Sequence, residues 1–415
     1  MTNQRLPLLL IVILSLFTLQ LNAQDQTFLQ KIGVKDSIYS NALNDYREIH
    51  IQLPNSYSQE SNRTYPTIYI LDGRVLLPAV NTVYEFYHGG YLPEMILVGI
   101  SNNKNRTRDL TPTKITTKFG MPFTEENGES DNFLKFIKEE LIPYVESNYA
   151  VTSHRTLIGH SYGGLFTVNT LIHSPELFSN YLAIDPTLYW DDQKLLKQIE
   201  GALKHTSFNN KSLFVSLGGQ LHMQNSEITI DNVMEDTSDY TLFARSIIQL
   251  TNLVKNNHAS GLEFDWKFYP KDLHGTVPLP SILDGLKSLY QWYEMEHMDK
   301  FNSPDTSIDT LLEIVSYRAN KLQSHFGYAV PPYPEDLFNG LGYMYKHMEL
   351  KDKSKLFFES GIKYYPKSAN MYDSMAEFYE AENDFKSALK FAKKAYIINQ
   401  SDYYKKRVES LQKKN

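Results

Sequence analysis

The serine at position 161 lies in a pattern typical of a catalytic nucleophile. An apolar run at residues 156–158 is followed by Gly159-His160-Ser161-Tyr162-Gly163 and then by a helix-like stretch. A G-x-S-x-G pattern between a strand and a helix forms a sharp turn that presents the serine hydroxyl above a sheet. The helix N-terminus beneath it favours developing negative charge. The pattern predicts Ser161 as a nucleophile for acyl transfer; the alternative is a structural turn.

A serine hydroxyl needs a neighbouring base with a pKa near neutrality, which points to histidine. Hydrolases of this type place that histidine late, in the chain order serine, acid, histidine. We predict His274, because it follows the alternating strand pattern of residues 262–268 and precedes a helical pattern. Loops at the carboxyl ends of parallel strands bind ligands. His160 is the rival, but we expect its side chain to point away from the adjacent hydroxyl.

The third catalytic residue should be an acid that orients the histidine and stabilises its charged form. The loop between the strand pattern ending at Leu217 and the helix pattern beginning near Tyr240 contains five acidic residues. We predict Asp236, because the hydroxyls of the two residues after it favour a tight turn just before the helix. Glu235 and Glu227 are the alternatives, and a Ser–His dyad without an acid stays open.

The oxyanion of a tetrahedral intermediate needs two N–H donors. One is predicted to be the backbone N–H of Tyr162, directly after the nucleophile, and the other to follow an early strand. The segment Ile70-Leu71-Asp72-Gly73-Arg74 fits, and the N–H of Arg74 is the candidate. We expect Asp72 to be a structural cap.

Apolar strand patterns that alternate with helical patterns predict an α/β domain with a mostly parallel sheet. The predicted strands lie at residues 48–53, 67–71, 95–100, 182–184, 213–217 and 262–268, and the predicted helices at residues 130–144, 240–256 and 282–298. The predicted domain spans residues 24–298. Its strands at residues 67–71 and 95–100 are continuously apolar, as in a sheet buried on both faces.

The two ends of the chain differ from the predicted α/β domain in composition and in residue pattern. Residues 1–23 combine a basic residue, an apolar run and a small residue before a polar stretch, which predicts a signal peptide and an exported protein. Residues 299–334 are predicted to be a linker. Residues 335–415 show a 34-residue self-similarity in helical patterns, which predicts a small all-α tetratricopeptide-like module.

Composition excludes several classes of protein. The chain of 415 residues has no cysteine, so disulfides, thiolate metal sites and a cysteine nucleophile are excluded. Its formal net charge of −7 gives no reason to expect nucleic acid as a partner.

Four segments in order along the chain resemble the Putative esterase family of α/β-hydrolases, which includes esterase D, enterochelin and other siderophore esterases, and mycolyltransferases. They are residues 69–73, 159–164, 185–190 and 274–278, within a similarity spanning roughly residues 30–295. The resemblance implies an α/β-hydrolase without a cofactor or metal, with the roles assigned above and with Trp190 lining the acyl or alcohol pocket. One departure is Gln220, which stands where relatives often carry a glutamate.

The sequence thus predicts an exported, periplasmic or secreted serine esterase that hydrolyses carboxylic esters through an acyl-enzyme. Siderophore-, acylated-sugar- or esterase D-like small molecules are the expected substrates. The alternatives are a non-catalytic binding protein on the same scaffold and an acyltransferase to a sugar alcohol. We expect no stable membrane insertion after signal cleavage, and we expect any self-association or protein contact to use the C-terminal helical module.

Overall fold

The computed structural model describes residues 32–58 and 63–414, so the predicted signal peptide lies outside the described residues. An eight-stranded sheet with the order β1-β2-β4-β3-β7-β8-β9-β10 forms its centre. The strands are β1 Val34–Ser40, β2 Asp45–Gln52, β3 Tyr65–Ile70, β4 Ile96–Ile100, β7 Val151–His160, β8 Asn180–Ile184, β9 Lys211–Gly218 and β10 Leu262–Tyr269. β1 and β2 pair antiparallel with their neighbours and the other strands are parallel. The predicted α/β class is confirmed.

Helices cover both faces of the sheet, and each face has its own apolar core. In β3, Tyr69 points into one core while Ile68 and Ile70 point into the other. The helices are α1 Gly73–Tyr87, α2 Arg106–Leu110, α3 Ser130–Phe136, α4 Ile142–Asn148, α5 Tyr162–His173, α6 Trp190–His205, α7 Leu242–Lys255 and α8 Pro278–Leu289. β3, β4 and β8 are buried along their whole length, as is typical of strands in a sheet that is covered on both faces.

Some elements differ from the sequence-based expectations. α3 and α4 are joined by a π-helical turn at Ile137–Leu141, so the predicted helix extends further than expected. α8 ends at Leu289, nine residues before the predicted end of the closing helix. A short hairpin of β5 Thr117–Lys118 and β6 Met121–Pro122 was not predicted. Its turn has positive φ at both Phe119 and Gly120, 50° and 73°.

The chain after α8 is entirely helical within the described residues. The helices are α9 Met298–Asn302, α10 Ile308–Phe326, α11 Glu335–His347, α12 Lys351–Tyr364, α13 Ala369–Ala381, α14 Phe385–Ile398 and α15 Asp402–Gln412. α11 packs on α12 closely, since a Cβ added at Gly342 would lie 2.4 Å from the Phe358 ring. The all-helical tail agrees with the expected small helical module, while its tetratricopeptide assignment stays a prediction.

The stretch predicted as a linker, residues 299–334, instead contains α9 and α10. The Ser307 side chain caps α10 by accepting from the Thr310 N–H, and the buried residues then follow at helical spacing. Leu322 and Phe326 at its end belong to the core of the α/β domain, whereas Leu311 and Val315 belong to the core of the tail. α10 therefore joins the two parts by being buried in both.

No helix among the described residues has the length and apolar character needed to cross a bilayer.

Candidate active site

Ser161 occupies the turn between β7 and α5, as the strand–turn–helix pattern predicts. Its backbone has φ 60° and ψ −116°, a conformation that a non-glycine residue adopts only under strain. The turn leaves no room for a side chain at Gly159, where an added Cβ would lie 2.2 Å from the Gly163 carbonyl oxygen. The Leu165 N–H donates to the Ser161 carbonyl at 2.9 Å, so the helix begins at the serine itself.

The carboxylate that the structure brings to His274 is that of Asp185. β7 pairs with β8, with His160 opposite Ile184, so Ser161 and Asp185 leave neighbouring strands at the same edge of the sheet. Asp185 Oδ2 lies 2.6 Å from His274 Nδ1, and its Oδ1 accepts from the Gly218 N–H at 2.9 Å. Asp185 is 2% exposed, whereas the His274 side chain is 39% exposed. With Nδ1–H donated to the carboxylate, Nε2 is free to accept a proton.

Asp236, the acid predicted from sequence, is not brought to His274. Its Oδ1 accepts from the N–H and hydroxyl of Ser238 at 2.7 and 2.5 Å, and from the Thr241 hydroxyl at 3.0 Å. These bonds, first those of Ser238, lower the pKa of Asp236 and hold the turn before α7. The tight turn predicted at Asp236 is present, but its hydrogen bonds stabilise the start of the helix and do not orient His274. Glu235 and Glu227 are exposed on the same loop.

The loop that carries His274 is held from two sides. His160 Nε2 lies 3.0 Å from the His274 carbonyl oxygen, and the two imidazole rings are 4.5 Å apart. Burial, then the neighbouring His274 and Arg106, lowers the pKa of His160 to about 3, so His160 stays neutral and donates Nε2–H to that carbonyl. Gln220 Oε1 accepts from the His274 N–H at 3.3 Å. His160 thus positions the loop, a role that sequence reasoning missed.

The Ser161 hydroxyl is 3.2 Å from the hydroxyl of Thr187. The Thr187 N–H also donates to the Ser161 carbonyl at 3.1 Å. Both Ser161 and His274 are described, and no direct hydrogen bond joins the hydroxyl to the imidazole. Such a bond is commonly long or misaligned before substrate binds and tightens in the complex.

The two predicted oxyanion donors lie in the first turns of two adjacent helices, where N–H groups lack intrahelical acceptors. The start of α1, with Arg74, and the start of α5, with Tyr162, lie side by side: a Cβ added at Gly163 would be 3.7 Å from Asp72 Oδ2. Arg106 reinforces this neighbourhood. It donates two bonds of 2.9 Å to the Asp72 carboxylate and one of 3.0 Å to the His160 carbonyl.

The Arg74 side chain is turned toward Glu48, with bonds of 2.7 and 2.8 Å to its carboxylate. Lys35 first and then Arg74 lower the pKa of Glu48 to about 2, despite some burial. The Arg74 guanidinium is therefore engaged elsewhere, and the part of Arg74 that could bind the oxyanion is its backbone N–H. Asp72, with φ 52°, precedes α1 and pairs with Arg106, as expected of a structural residue.

Trp190 does not line an open pocket. It is 2% exposed, its Nε1–H donates to the Thr113 carbonyl at 2.9 Å, and its ring contacts the edge of Tyr162 at 5.4 Å. The expectation from family resemblance thus differs from the structure, because the loop before the β5–β6 hairpin covers the indole. Besides the ring of His160, the ring of Phe243 lies next to His274, at 5.3 Å, and Phe243 in turn contacts Tyr189.

No group of three or more His, Asp or Glu side chains within residues 32–58 and 63–414 is arranged to hold a metal ion.

Comparison with known proteins agrees with this architecture. The family model described as Putative esterase matches residues 40–248, half of the chain. The chain belongs to the Putative esterase family. It is 28% identical over 211 residues to the ferri-bacillibactin esterase BesA of Bacillus subtilis (strain 168), covering 46% of this chain and 72% of that protein.

Two further similarities were found for this esterase-family chain. It is 30% identical over 196 residues to the siderophore enterobactin esterase of Emericella nidulans, covering 42% of this chain and 62% of that protein. Among solved structures, an IroE-like serine hydrolase from Shewanella oneidensis matches with a TM-score of 0.64 and 25% identity. That match covers 79% of this chain and 98% of the other.

Proposed function

We propose that this member of the esterase family is an exported serine esterase that hydrolyses siderophore-type carboxylic esters through an acyl-enzyme. The observation that carries the proposal is the 2.6 Å contact between the buried carboxylate of Asp185 and His274 Nδ1, at the sheet edge where Ser161 occupies a strained turn. With Nδ1 bound to Asp185, Nε2 of His274 can act as a base. A serine in a strained turn between a strand and a helix is the nucleophile that this base activates.

In the first half of the reaction, Ser161 Oγ attacks the ester carbonyl carbon while His274 Nε2 takes the hydroxyl proton. The carbonyl oxygen becomes an oxyanion, which the backbone N–H groups of Tyr162 and Arg74 stabilise. The tetrahedral intermediate then breaks its bond to the alcohol oxygen, and the imidazolium returns the proton to that oxygen. The alcohol leaves, and the acyl group stays on Ser161.

In the second half, water replaces the alcohol. His274 takes a proton from the water as it attacks the acyl carbon, and the second tetrahedral intermediate expels Ser161, which regains the proton. Asp185 keeps its negative charge throughout, since its task is to orient the imidazole and stabilise the imidazolium. The Thr187 hydroxyl, 3.2 Å from Ser161 Oγ, is an alternative partner that the serine exchanges for His274 when substrate arrives.

The substrate class rests on the relatives. A ferri-bacillibactin esterase and a siderophore enterobactin esterase match this chain. We therefore propose a siderophore-type ester ahead of acylated-sugar or esterase D-like substrates. Export rests on the amino-acid pattern of residues 1–23.

Replacement of the serine tests the proposal. Ser161→Ala should abolish hydrolysis of a short-chain 4-nitrophenyl ester and of enterobactin, because no other group would form the acyl-enzyme. Thr187→Val is the matched control, since it changes a neighbouring hydroxyl that takes no part in bond making; it should keep most of the activity. Circular dichroism checks that both variants fold. Unchanged turnover by Ser161→Ala would refute the serine mechanism.

A further inference from the structure

A lysine ammonium contacts the side chain of Tyr162, the residue after the candidate nucleophile, and has no carboxylate partner among the described residues. Lys118, in β5 of the hairpin, donates from Nζ to the Tyr162 hydroxyl at 2.9 Å. The nearby arginines pair with carboxylates, Arg74 with Glu48 and Arg106 with Asp72. By contrast, Lys118 forms no ion pair within the described part of the chain.

Aromatic rings surround this ammonium. The centroids of four rings lie between 5.4 and 5.9 Å from Nζ, and they are those of Phe123, Tyr162, Tyr189 and Trp190. Burial acts to lower the pKa of Lys118, but hydrogen bonds to the two tyrosine hydroxyls outweigh it and the pKa is raised. The side chain is therefore a protonated, half-buried cation. Its three N–H donors exceed the two hydroxyls, of Tyr162 and Tyr189, that it contacts.

The hairpin holds Lys118 at a fixed position. The Phe123 N–H donates to the Thr116 carbonyl at 2.8 Å, and the Trp190 indole donates to Thr113 at the base of the hairpin. The turn residues Phe119 and Gly120 have the positive φ angles of a tight hairpin turn. The ammonium is thus held in place by the hairpin and the aromatic rings around it, and is not the free end of a surface side chain.

Neighbouring side chains link Lys118 to both catalytic candidates. Tyr162, which the ammonium contacts, directly follows Ser161. On the other side, Tyr189 contacts Phe243 at 5.9 Å, and Phe243 contacts His274 at 5.3 Å. A cation at this place lies within reach of a substituent on an ester bound at Ser161. A partly desolvated cation is stabilised most by an opposite charge. Residues 32–58 and 63–414 place no carboxylate against Lys118, which leaves an anionic group on the substrate as its partner.

We propose that Lys118 determines specificity by binding a negatively charged oxygen group of the ester substrate, such as a carboxylate that is separate from the reacting ester. The enzyme would then prefer anionic esters over neutral esters of the same length. This inference rests on the proposed esterase function and adds to it the charge of the substrate.

Two matched pairs of esters test the inference on the full-length protein. Mono(4-nitrophenyl) adipate and 4-nitrophenyl hexanoate have the same acyl chain length and differ in a terminal carboxylate on the acyl side. For the alcohol side, 3-carboxyphenyl butyrate and phenyl butyrate differ in the same way. In at least one pair, the wild-type protein should show a kcat/KM about tenfold higher for the anionic ester, as expected for one charge-assisted hydrogen bond.

The variants separate charge from packing. Lys118→Met keeps an apolar stem against the rings and removes the charge, so it should lose the preference through KM while hydrolysing the neutral ester as before. Lys118→Arg should restore the preference. Lys197→Met on the exposed face of α6 makes the same change in net charge and should leave the preference unchanged.

The outcomes distinguish the inference from the proposed function. Equal preference in the wild type and Lys118→Met for both pairs, with hydrolysis intact, overturns the role of Lys118 alone. An equal loss on anionic and neutral esters in Lys118→Met would mean that the lysine only supports the hairpin, and would also overturn it. If neither ester is hydrolysed and a fluorophosphonate does not label Ser161, the esterase function fails and the inference fails with it.

Discussion

The buried carboxylate of Asp185 orients His274, the base of the proposed reaction. Asp185→Asn should lower kcat/KM by about 10³-fold or more, because an amide no longer stabilises the imidazolium or fixes the tautomer of His274. Asp236→Asn on the neighbouring loop is the matched control, and we expect it to leave turnover of the same nitrophenyl ester unchanged. A large loss in Asp236→Asn with an active Asp185→Asn would reverse the assignment.

Sequence reasoning predicted Ser161, His274 and Asp236; the structure places Asp185 rather than Asp236 against His274, and the catalytic roles of Ser161 and His274 stay predictions. Asp185 directly follows a buried strand and lies 89 residues before His274, so sequence alone does not tell which of several carboxylates reaches the imidazole. The deciding feature is geometric: Asp185 has a φ of 44°, and its second oxygen accepts the Gly218 N–H. A signal was present, because Asp185 lies one strand from the serine, at the same sheet edge.

At the scale of elements, the turn between β7 and α5 depends on the absence of a side chain at Gly159. Gly159→Ala should lower the free energy of unfolding by about 1–3 kcal/mol or more, because the added Cβ would collide with backbone. Gly201→Ala in α6 is the control, since a Cβ there meets nothing within 4 Å and should stabilise the helix by roughly 0.5–1 kcal/mol. Urea unfolding measures both; equal stability of the two variants would contradict this account of the turn.

The strands of the sheet and the helices that cover it were predictable because apolar residues recur with different spacings in buried strands and in amphipathic helices. The hairpin β5–β6 was missed, since four strand residues with a two-residue turn carry almost no periodic signal. α10 was missed for a different reason. Its polar residues suggested a linker, although Leu311, Arg318 and Leu322 follow a helical spacing behind the Ser307 cap.

At the scale of the molecule, α10 joins the α/β domain and the helical tail into one structure. Leu322→Ala should destabilise the protein by about 2–5 kcal/mol, because Leu322 is fully buried in the core of the α/β domain. Leu312→Ala, on an exposed position of the same helix, should change stability by less than about 0.5 kcal/mol. Calorimetry should show one transition that moves down as a whole in Leu322→Ala. Two transitions, of which only one moves, would mean that the parts unfold independently.

The junction with α10 also makes stability depend on pH. His154 contacts Phe326 at 5.1 Å, and burial, then His325, lowers the pKa of His154 to about 3. The unfolded chain, with a histidine pKa near 6.5, binds the proton more readily. The stabilisation is therefore complete above about pH 6.5 and is lost as pH falls toward 3, by up to about 1.4 kcal/mol per pH unit.

A histidine replacement measures this pH dependence. His154→Phe should lose less stability between pH 7 and pH 5 than the wild type, as judged by the midpoint of urea unfolding. The exposed His258 offers a control, because His258→Gln should lose as much as the wild type. The same loss in wild type and His154→Phe would show that other groups govern the acid sensitivity.

The proposed reaction requires a covalent intermediate on Ser161. Its most direct test is mass spectrometry of the protein after reaction with a fluorophosphonate, with the modified peptide sequenced. We expect one adduct per chain, on Ser161, that is absent in Ser161→Ala and forms far more slowly in His274→Ala. An adduct on another residue, or an active esterase with no adduct at Ser161, would contradict it.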